Sequence, residues 1–100
     1  MLKKDLLELC LLQLLAGGDK YGYEVLTPLR AAFPDTQESA IYALLRGLGK
    51  EGYTEWYMAP GGGGPDRKYY RITSAGQTRL EEMRDQWRNM RDAIASFGVE

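Results

Sequence analysis

The chain has 100 residues, of which 44% are hydrophobic and 27% are charged, and its net charge is −1. This balance is typical of one globular domain and excludes a disordered chain. The single cysteine, Cys10, excludes an internal disulfide. The chain has no histidine, so it lacks the commonest general base and metal ligand. We therefore expect a cytoplasmic protein that has no metal, no cofactor and no enzymatic activity.

Positive charge is concentrated in the middle of the chain. Residues 50–79 carry five basic and three acidic side chains, whereas residues 80–100 carry three basic and five acidic ones. The low net charge weakens the case for a nucleic-acid partner, but the local basic region keeps that case open.

Residues 6–15 form a leucine-rich segment that predicts the first helix. Asp5 with Glu8 resembles a capping box, and Gly17 and Gly18 end the apolar run. Apolar residues fall on nearly every side of this helix, which is typical of a helix buried on more than one face. Because a 100-residue chain is small for such burial, we expect a partner chain to cover part of it.

Two further helices are predicted next. Residues 21–33 form an apolar stripe in which Pro28 would remove a backbone hydrogen bond, so we expect a kink or an early end there. Residues 36–48 form the third helix, with Asp35 or Thr36 as its cap.

A β-hairpin follows the third helix. Residues 53–59 and 67–73 have the aromatic and alternating composition of strands. The Gly-rich stretch between them, residues 60–65, has no side chains that would order it. We therefore expect the tip of the hairpin to be mobile until it meets a ligand.

The last predicted helix starts at Thr73 or Ser74 and carries a narrow apolar seam. Its apolar residues are spaced alternately by three and four positions, which is the heptad pattern of helix-to-helix packing. The rest of this helix is charged, so we expect the seam to face another helix rather than a broad core. The predicted homodimer interface consists of Leu6, Leu80, Met83, Trp87, Met90, Ile94 and Phe97.

Three helices followed by a β-hairpin is the order of a winged helix-turn-helix, whose third helix reads the DNA major groove and whose hairpin, or wing, touches the backbone. The predicted fold class is mainly α with a small β-hairpin. It combines a winged helix-turn-helix DNA-binding domain over residues 1–73 with a C-terminal dimerisation helix over residues 74–100, as one compact unit.

The predicted DNA-binding residues lie on the third helix and at the base of the wing. They are Gln37, Ser39, Ala40, Tyr42, Ala43, Arg46, Arg67 and Lys68. Arginine can reach guanine or phosphate, and small residues let a helix approach the groove closely. The alternative is that the charged residues are ordinary solvated side chains and that Tyr42 is a half-buried packing residue.

Three motifs in this chain resemble the PadR family of bacterial transcriptional regulators. They are Tyr21-Gly22-Tyr23-Glu24-Val25, Ile41-Tyr42-x-x-Leu45-x-x-Leu48-x-x-x-Gly52 and Arg67-Lys68-Tyr69-Tyr70-Arg71-Ile72-Thr73-x-x-Gly76. The length is similar to that of the short subfamily, which has a single C-terminal helix. The resemblance implies a homodimer whose C-terminal helix packs against the first helix of the other protomer. It also implies an operator with two-fold symmetry and repression that a small molecule relieves.

The resemblance further implies an effector site around Trp87. In ligand-binding short members, a tryptophan at this place lines a pore at the dimer centre, where flat aromatic compounds stack. The residues that the resemblance places there are Leu2, Leu9, Gln13, Trp87, Met90 and Arg91. The alternative is a tryptophan that only packs in the dimer core.

The third helix departs from the family pattern at Ala40, where members often have threonine. The missing hydroxyl removes one phosphate donor and bears on operator affinity. The alternative function is a dimeric winged-helix module for protein interaction that has lost DNA binding. An enzyme is not expected, because the chain offers no nucleophile–base pair and its glycine run lacks the lysine of a phosphate loop.

Overall fold

The computed structural model describes all 100 residues, and its elements follow the predicted order with one short strand added. The chain is mainly helical with one small antiparallel sheet, which confirms the predicted fold class. The elements are α1 (Lys3–Ala16), β1 (Lys20–Tyr21), α2 (Gly22–Ala32), α3 (Glu38–Lys50), β2 (Thr54–Ala59), β3 (Arg67–Ile72) and α4 (Ser74–Ala95).

α1 begins earlier than predicted, because Asp5 caps it from inside the first turn. The Asp5 carboxylate accepts a hydrogen bond from the Leu2 N–H at 2.9 Å. The predicted pairing of Asp5 with Glu8 is therefore wrong. Glu8 instead accepts a hydrogen bond from Nε of Arg79 at 3.2 Å, and this ion pair joins α1 to α4.

The core lies where the three N-terminal helices and the first half of α4 meet β3. The leucines that α1 buries there are Leu7, Leu11, Leu12 and Leu15. Leu80 and Met83 of α4 belong to the same cluster. α1 is therefore covered largely by its own chain, and its half-buried side is the one that carries Leu9 and Cys10.

α2 runs on through Pro28 to Ala32, so of the two alternatives expected there, a kink or an early end, the early end is wrong. Pro28 lies on the exposed side of α2, and the carbonyl group that loses its hydrogen-bond partner belongs to Glu24, which is also exposed. Water can satisfy an exposed carbonyl group. Meanwhile Val25 and Leu29 hold the other side of the helix in the core.

α3 begins at Glu38 without the predicted side-chain cap. Gln37 occupies the N-cap position, and its side chain makes no capping hydrogen bond. Thr36 is only 5% exposed, and its hydroxyl oxygen has no hydrogen-bond partner. Neither Asp35 nor Thr36 caps the helix, so that prediction is wrong.

The sheet has three antiparallel strands in the order β1-β3-β2. β2 and β3 pair from Thr54 with Ile72 to Ala59 with Arg67, which confirms the predicted hairpin. The sequence-based prediction lacks β1, because its two residues are too few to show an alternating pattern.

α4 begins after Thr73, whose hydroxyl oxygen accepts a hydrogen bond from the Gly76 N–H at 3.0 Å. Its first half packs in the core, but every residue from 85 to 100 is exposed. The radius of gyration is 14.9 Å, above the roughly 13 Å of a compact 100-residue domain, as expected for a helix that extends beyond the core. No helix, α4 included, has both the length and the apolar content that a bilayer crossing requires.

Candidate nucleic-acid interface

α3 has one buried and one exposed face, and the exposed face carries predicted DNA-binding residues. The buried face consists of Ile41, Leu45 and Leu48. Ser39, Ala43 and Arg46 are exposed and are spaced by four and three positions, so they form one ridge along the helix. Because the two side chains before Arg46 on this ridge are small, the α3 backbone can approach a DNA groove closely.

Lys50 extends this ridge by one turn and is also exposed. It follows Arg46 by four residues, so both side chains project from the same side of α3. Sequence reasoning missed Lys50 because it ended the third helix at residue 48. Continuing the helical spacing from Arg46 would have found it.

Gln37 and Ala40 lie on the side of the ridge that faces α1. They line a groove of about 580 Å³ together with Lys3 and Lys4. Tyr42 lines a different groove, on the side of the wing. The predicted DNA-binding residues of α3 are therefore spread across the whole exposed face and both of its edges.

Tyr42 packs against the start of α2. A Cβ atom at Gly22 would lie 2.9 Å from the Tyr42 hydroxyl oxygen, so glycine leaves the room that this ring occupies. Burial raises the pKa of the Tyr42 phenol, and the nearby Glu38 and Tyr23 raise it further. Of the two interpretations of Tyr42, the geometry favours packing, and it gives Gly22 of the first motif a structural reason.

Arg67 and Lys68 are exposed on β3, and an aromatic ring lies under each. The Arg67 guanidinium carbon lies 4.5 Å from the centre of the Tyr21 ring, and Lys68 Nζ lies 4.3 Å from the centre of the Trp56 ring. Cation–π contacts orient the charged groups without neutralising them. Both cations therefore remain available to phosphate groups.

Arg46, Lys50 and Lys68 line a single groove of about 460 Å³ between α3 and the wing, which we call the α3–wing groove. None of the three forms an ion pair. The acidic residue of this groove, Glu55, is paired with Arg71 at 2.9 Å. The groove therefore presents three unpaired positive charges, although the whole chain carries a net charge of −1.

A fourth groove, of about 380 Å³ and mostly apolar, lies among α1, α2 and α4 and contains three of the six predicted effector residues, Leu9, Gln13 and Trp87. The sequence-based prediction lacks the other seven residues that line it, among them Cys10 and Phe33. Burial raises the pKa of the Cys10 thiol, which favours its neutral, unreactive form. We call this the α1–α4 groove.

The other three predicted effector residues lie outside the α1–α4 groove. Leu2 is 77% exposed. The Met90 sulfur lies 3.1 Å from the amino group of Met1, and Arg91 pairs with the neighbouring Asp92. A single chain therefore brings together only half of the set.

No cluster of histidine, cysteine or acidic side chains in the structure could hold a metal ion.

The apolar seam of α4 divides into two halves. The core of the same chain already covers Leu80 and Met83, which are 3% and 0% exposed. The second half is uncovered, and its exposed apolar residues are Trp87, Met90, Ile94 and Phe97. Leu6 of α1 is half-buried. Only the second half of the seam has substantial surface that a second chain could cover.

The sequence profile of the transcriptional regulator PadR-like family matches residues 11–82. This range contains α2, α3, all three strands and the first nine residues of α4, 74–82. The chain belongs to the PadR-like family. The family match ends at residue 82, so it does not include the exposed half of the α4 seam.

Two solved structures and one sequence relative match nearly the whole chain. A PadR-like transcriptional regulator from Bacillus cereus is 34% identical, with a TM-score of 0.88 over 97% of this chain and 95% of that one. A Streptococcus transcriptional regulator is 33% identical, with a TM-score of 0.86 over 96% and 95%. An uncharacterized protein from Lysinibacillus sphaericus is 32% identical over 94 residues, which are 91% of this chain and 86% of that protein.

As a PadR-like protein, the chain has the family and the fold of transcription regulators rather than of enzymes. A transcription regulator of this family implies a DNA partner. The exposed ridge of α3 and the cations of the α3–wing groove are the parts of this PadR-like chain whose charge and shape suit that partner.

Proposed function

We propose that this PadR-like protein is a repressor that binds a palindromic operator as a homodimer and is released by a small aromatic or hydrophobic effector. The observation that carries the proposal is the α3–wing groove, where Arg46, Lys50 and Lys68 converge from two elements with no acidic partner. Two elements that share a cationic groove can grip one DNA strand from both sides.

In this proposal α3 enters the major groove with its ridge toward the base edges. The small side chains of Ser39 and Ala43 let the α3 backbone come close to the bases, and Arg46 reaches guanine or a phosphate at the groove edge. Lys68 and Arg67 then neutralise phosphates from the wing. The phosphate contacts supply affinity that depends on salt, and the ridge supplies the preference for sequence.

The homodimer is supported by the exposed half of the α4 seam. Trp87, Met90 and Ile94 are 41%, 37% and 47% exposed, although they continue the spacing that Leu80 and Met83 begin inside the core. A row of large apolar side chains on a charged helix is stable in water when another helix covers it. A two-fold dimer would present two copies of α3, which matches a palindromic operator.

Effector release is supported by the position of the α1–α4 groove. Its volume of about 380 Å³ falls within the usual range of ligand pockets. It is lined by Pro28 and Phe33 of the α2 region as well as by Trp87 of α4. A ligand here would contact both α2, which precedes α3, and α4, the helix proposed for dimerisation. If it binds one arrangement of these two helices more tightly than another, it shifts the protein toward that arrangement.

The test of DNA binding is the dependence of affinity on salt. We expect the chain to bind duplex DNA from the region upstream of its own gene, with an affinity that falls steeply as salt rises. Arg46→Ala and Lys68→Ala should each weaken binding, and Lys68→Ala should lower the salt slope by about 1. Fluorescence anisotropy with a labelled duplex measures both quantities.

The double substitution Arg71→Ala with Glu55→Gln is the matched control for Lys68→Ala. Arg71 lies on the same strand with the same charge, but it is paired with Glu55, so both partners are neutralised together and no free acid is left in the groove. We expect this variant to keep the parental salt slope. If the parent binds no DNA at low salt, the protein is the interaction module without DNA binding that the sequence left as the alternative, and the repressor proposal fails.

A further inference from the structure

The wing carries two large apolar side chains that the fold leaves uncovered. Residues alternate between the two faces of β2, so Thr54, Trp56 and Met58 share the face that also lines the α3–wing groove. Thr54 is 5% exposed, whereas Trp56 and Met58 are 58% and 54% exposed. The same face of the wing is thus covered next to α3 and bare toward the tip.

The uncovered indole sits among cations. Lys68 Nζ lies 4.3 Å from the centre of the Trp56 ring and 5.6 Å from that of Tyr70. Met58 is paired across the strands with Lys68. Trp56 lines the α3–wing groove together with the cations of α3. Whatever covers Trp56 therefore also meets a concentration of positive charge.

We propose that Trp56 and Met58 pack on the deoxyribose edge of DNA, beside the phosphates that the cations of the α3–wing groove neutralise. This inference rests on the proposed DNA-binding function and extends it. In a duplex, the apolar surface next to each phosphate is its deoxyribose, which also forms the wall of the minor groove. A wing that lies beyond the edge of the major groove meets that wall. Proteins that bind the minor groove also use apolar side chains there, which they insert between base steps.

Charge decides between DNA and a protein as the occupant. The acid of the groove, Glu55, is neutralised by Arg71, so the surface around Trp56 has three free cations. DNA complements this surface in two ways, because its phosphates can pair with the cations and its apolar sugars can contact Trp56. A mostly apolar protein surface would leave the cations of Arg46, Lys50 and Lys68 buried without partners, which is costly.

The apolar contact has a signature that differs from that of a phosphate contact. Trp56→Ala should weaken DNA binding about tenfold, since a tryptophan buries a large area on contact, but it should leave the salt slope unchanged. Lys68→Ala should lower that slope by about 1. Trp56→Phe should retain most of the affinity, because phenylalanine keeps an apolar ring. In the same way, Met58→Leu should retain most of the affinity, and Met58→Ala should weaken binding.

The direct test is acrylamide quenching of tryptophan fluorescence with and without a duplex from the region upstream of the gene. The difference between the parent protein and Trp56→Phe isolates the signal of Trp56. We expect the duplex to protect Trp56 from acrylamide, and heparin, a polyanion without deoxyribose, to protect it much less. Unchanged thermal unfolding of Trp56→Ala would show that the fold is intact, as expected for an exposed side chain.

Two results would overturn the inference while leaving the proposed function in place. The first is parental affinity of Trp56→Ala for a duplex that Arg46→Ala binds weakly. The second is equal protection of Trp56 by heparin and by DNA, since that requires only phosphate-like charge. A protein that binds no duplex at all fails both the inference and the proposed function, and this outcome is distinct from the other two.

Discussion

At the scale of single residues, Gly76 shows how a family motif follows from a close approach. It is buried in the first turn of α4, directly under the backbone carbonyl group of Tyr53. A Cβ atom there would overlap that carbonyl oxygen and would lie 2.7 Å from Cγ1 of Ile72. Glycine therefore lets α4 start against the sheet, and through that contact it sets where the seam of α4 begins.

Gly76→Ala should destabilise the fold, because backbone atoms cannot move aside as a flexible side chain can. Overpacking of this kind costs about 1–3 kcal/mol or more. Urea unfolding followed by circular dichroism measures the change in the free energy of unfolding.

Gly47→Ala is the control for Gly76→Ala. Gly47 is also helical, but no atom lies within 4 Å of the Cβ atom it would gain. Alanine has the higher helix propensity, so this variant should be more stable by up to about 1 kcal/mol. Equal effects of the two substitutions would contradict the close approach at Gly76.

Residue identity alone could predict the ridge of α3 but not its surroundings. The 3.6-residue period places Ser39 and Arg46 on one face, and the structure confirms that both are exposed. The packing of Tyr42 on Gly22 joins residues that are 20 positions apart in two elements. No local pattern contains that distance, so the two interpretations of Tyr42 could not be separated before the fold was known.

At the scale of elements, the prediction was most accurate where one pattern dominates. The aromatic alternation of β2 and β3 and the long seam of α4 were both found in the expected places. An early end of α2 at Pro28 did not occur. The free-energy cost of a proline in a helix depends on whether the freed carbonyl group reaches water, and that depends on the orientation of α2. Likewise, the spacing of the seam predicts that helices pack together but not whether they belong to one chain.

Trp87→Glu tests the exposed half of the seam. A charge on the proposed interface should dissociate the homodimer and abolish operator binding, because the two copies would repel each other in a desolvated contact. Sedimentation equilibrium measures the change from two chains to one. Ile94→Glu should have the same effect further along α4, outside the α1–α4 groove.

Gln86→Glu is the matched control, since it adds the same charge one residue away, off the seam. It should remain dimeric. A Trp87→Glu protein that sediments as two chains would rule out this seam as the interface, and a monomeric parent would rule out the proposed dimer itself.

At the scale of the whole molecule, the distribution of charge matters more than its total. The net charge of −1 gives little sign of a DNA partner. The fold brings Arg46, Lys50 and Lys68 into one groove and leaves the acidic residues of α4 on a helix that extends away from the core. The composition could show a basic middle segment, but the convergence of α3 with the wing requires the tertiary fold.

The shape of the chain also bears on how two copies would bind DNA. The molecule is 52 Å long and 20 Å across at its narrowest. A two-fold dimer that reads adjacent major grooves needs its α3 helices one helical turn of DNA apart, about 34–36 Å, which is less than the length of one chain. In such a dimer, the hydroxyl group that Ala40 lacks relative to the family pattern would be missing from both half-sites.

The central claim is that two copies of the α3–wing surface read one symmetric site. Hydroxyl-radical footprinting on DNA from upstream of the gene tests it most directly. The account predicts two equivalent protected patches whose centres are about 10–10.5 base pairs apart, and both should fade together in Arg46→Ala. A single protected patch, or an Arg46→Ala footprint identical to that of the parent, would contradict the account.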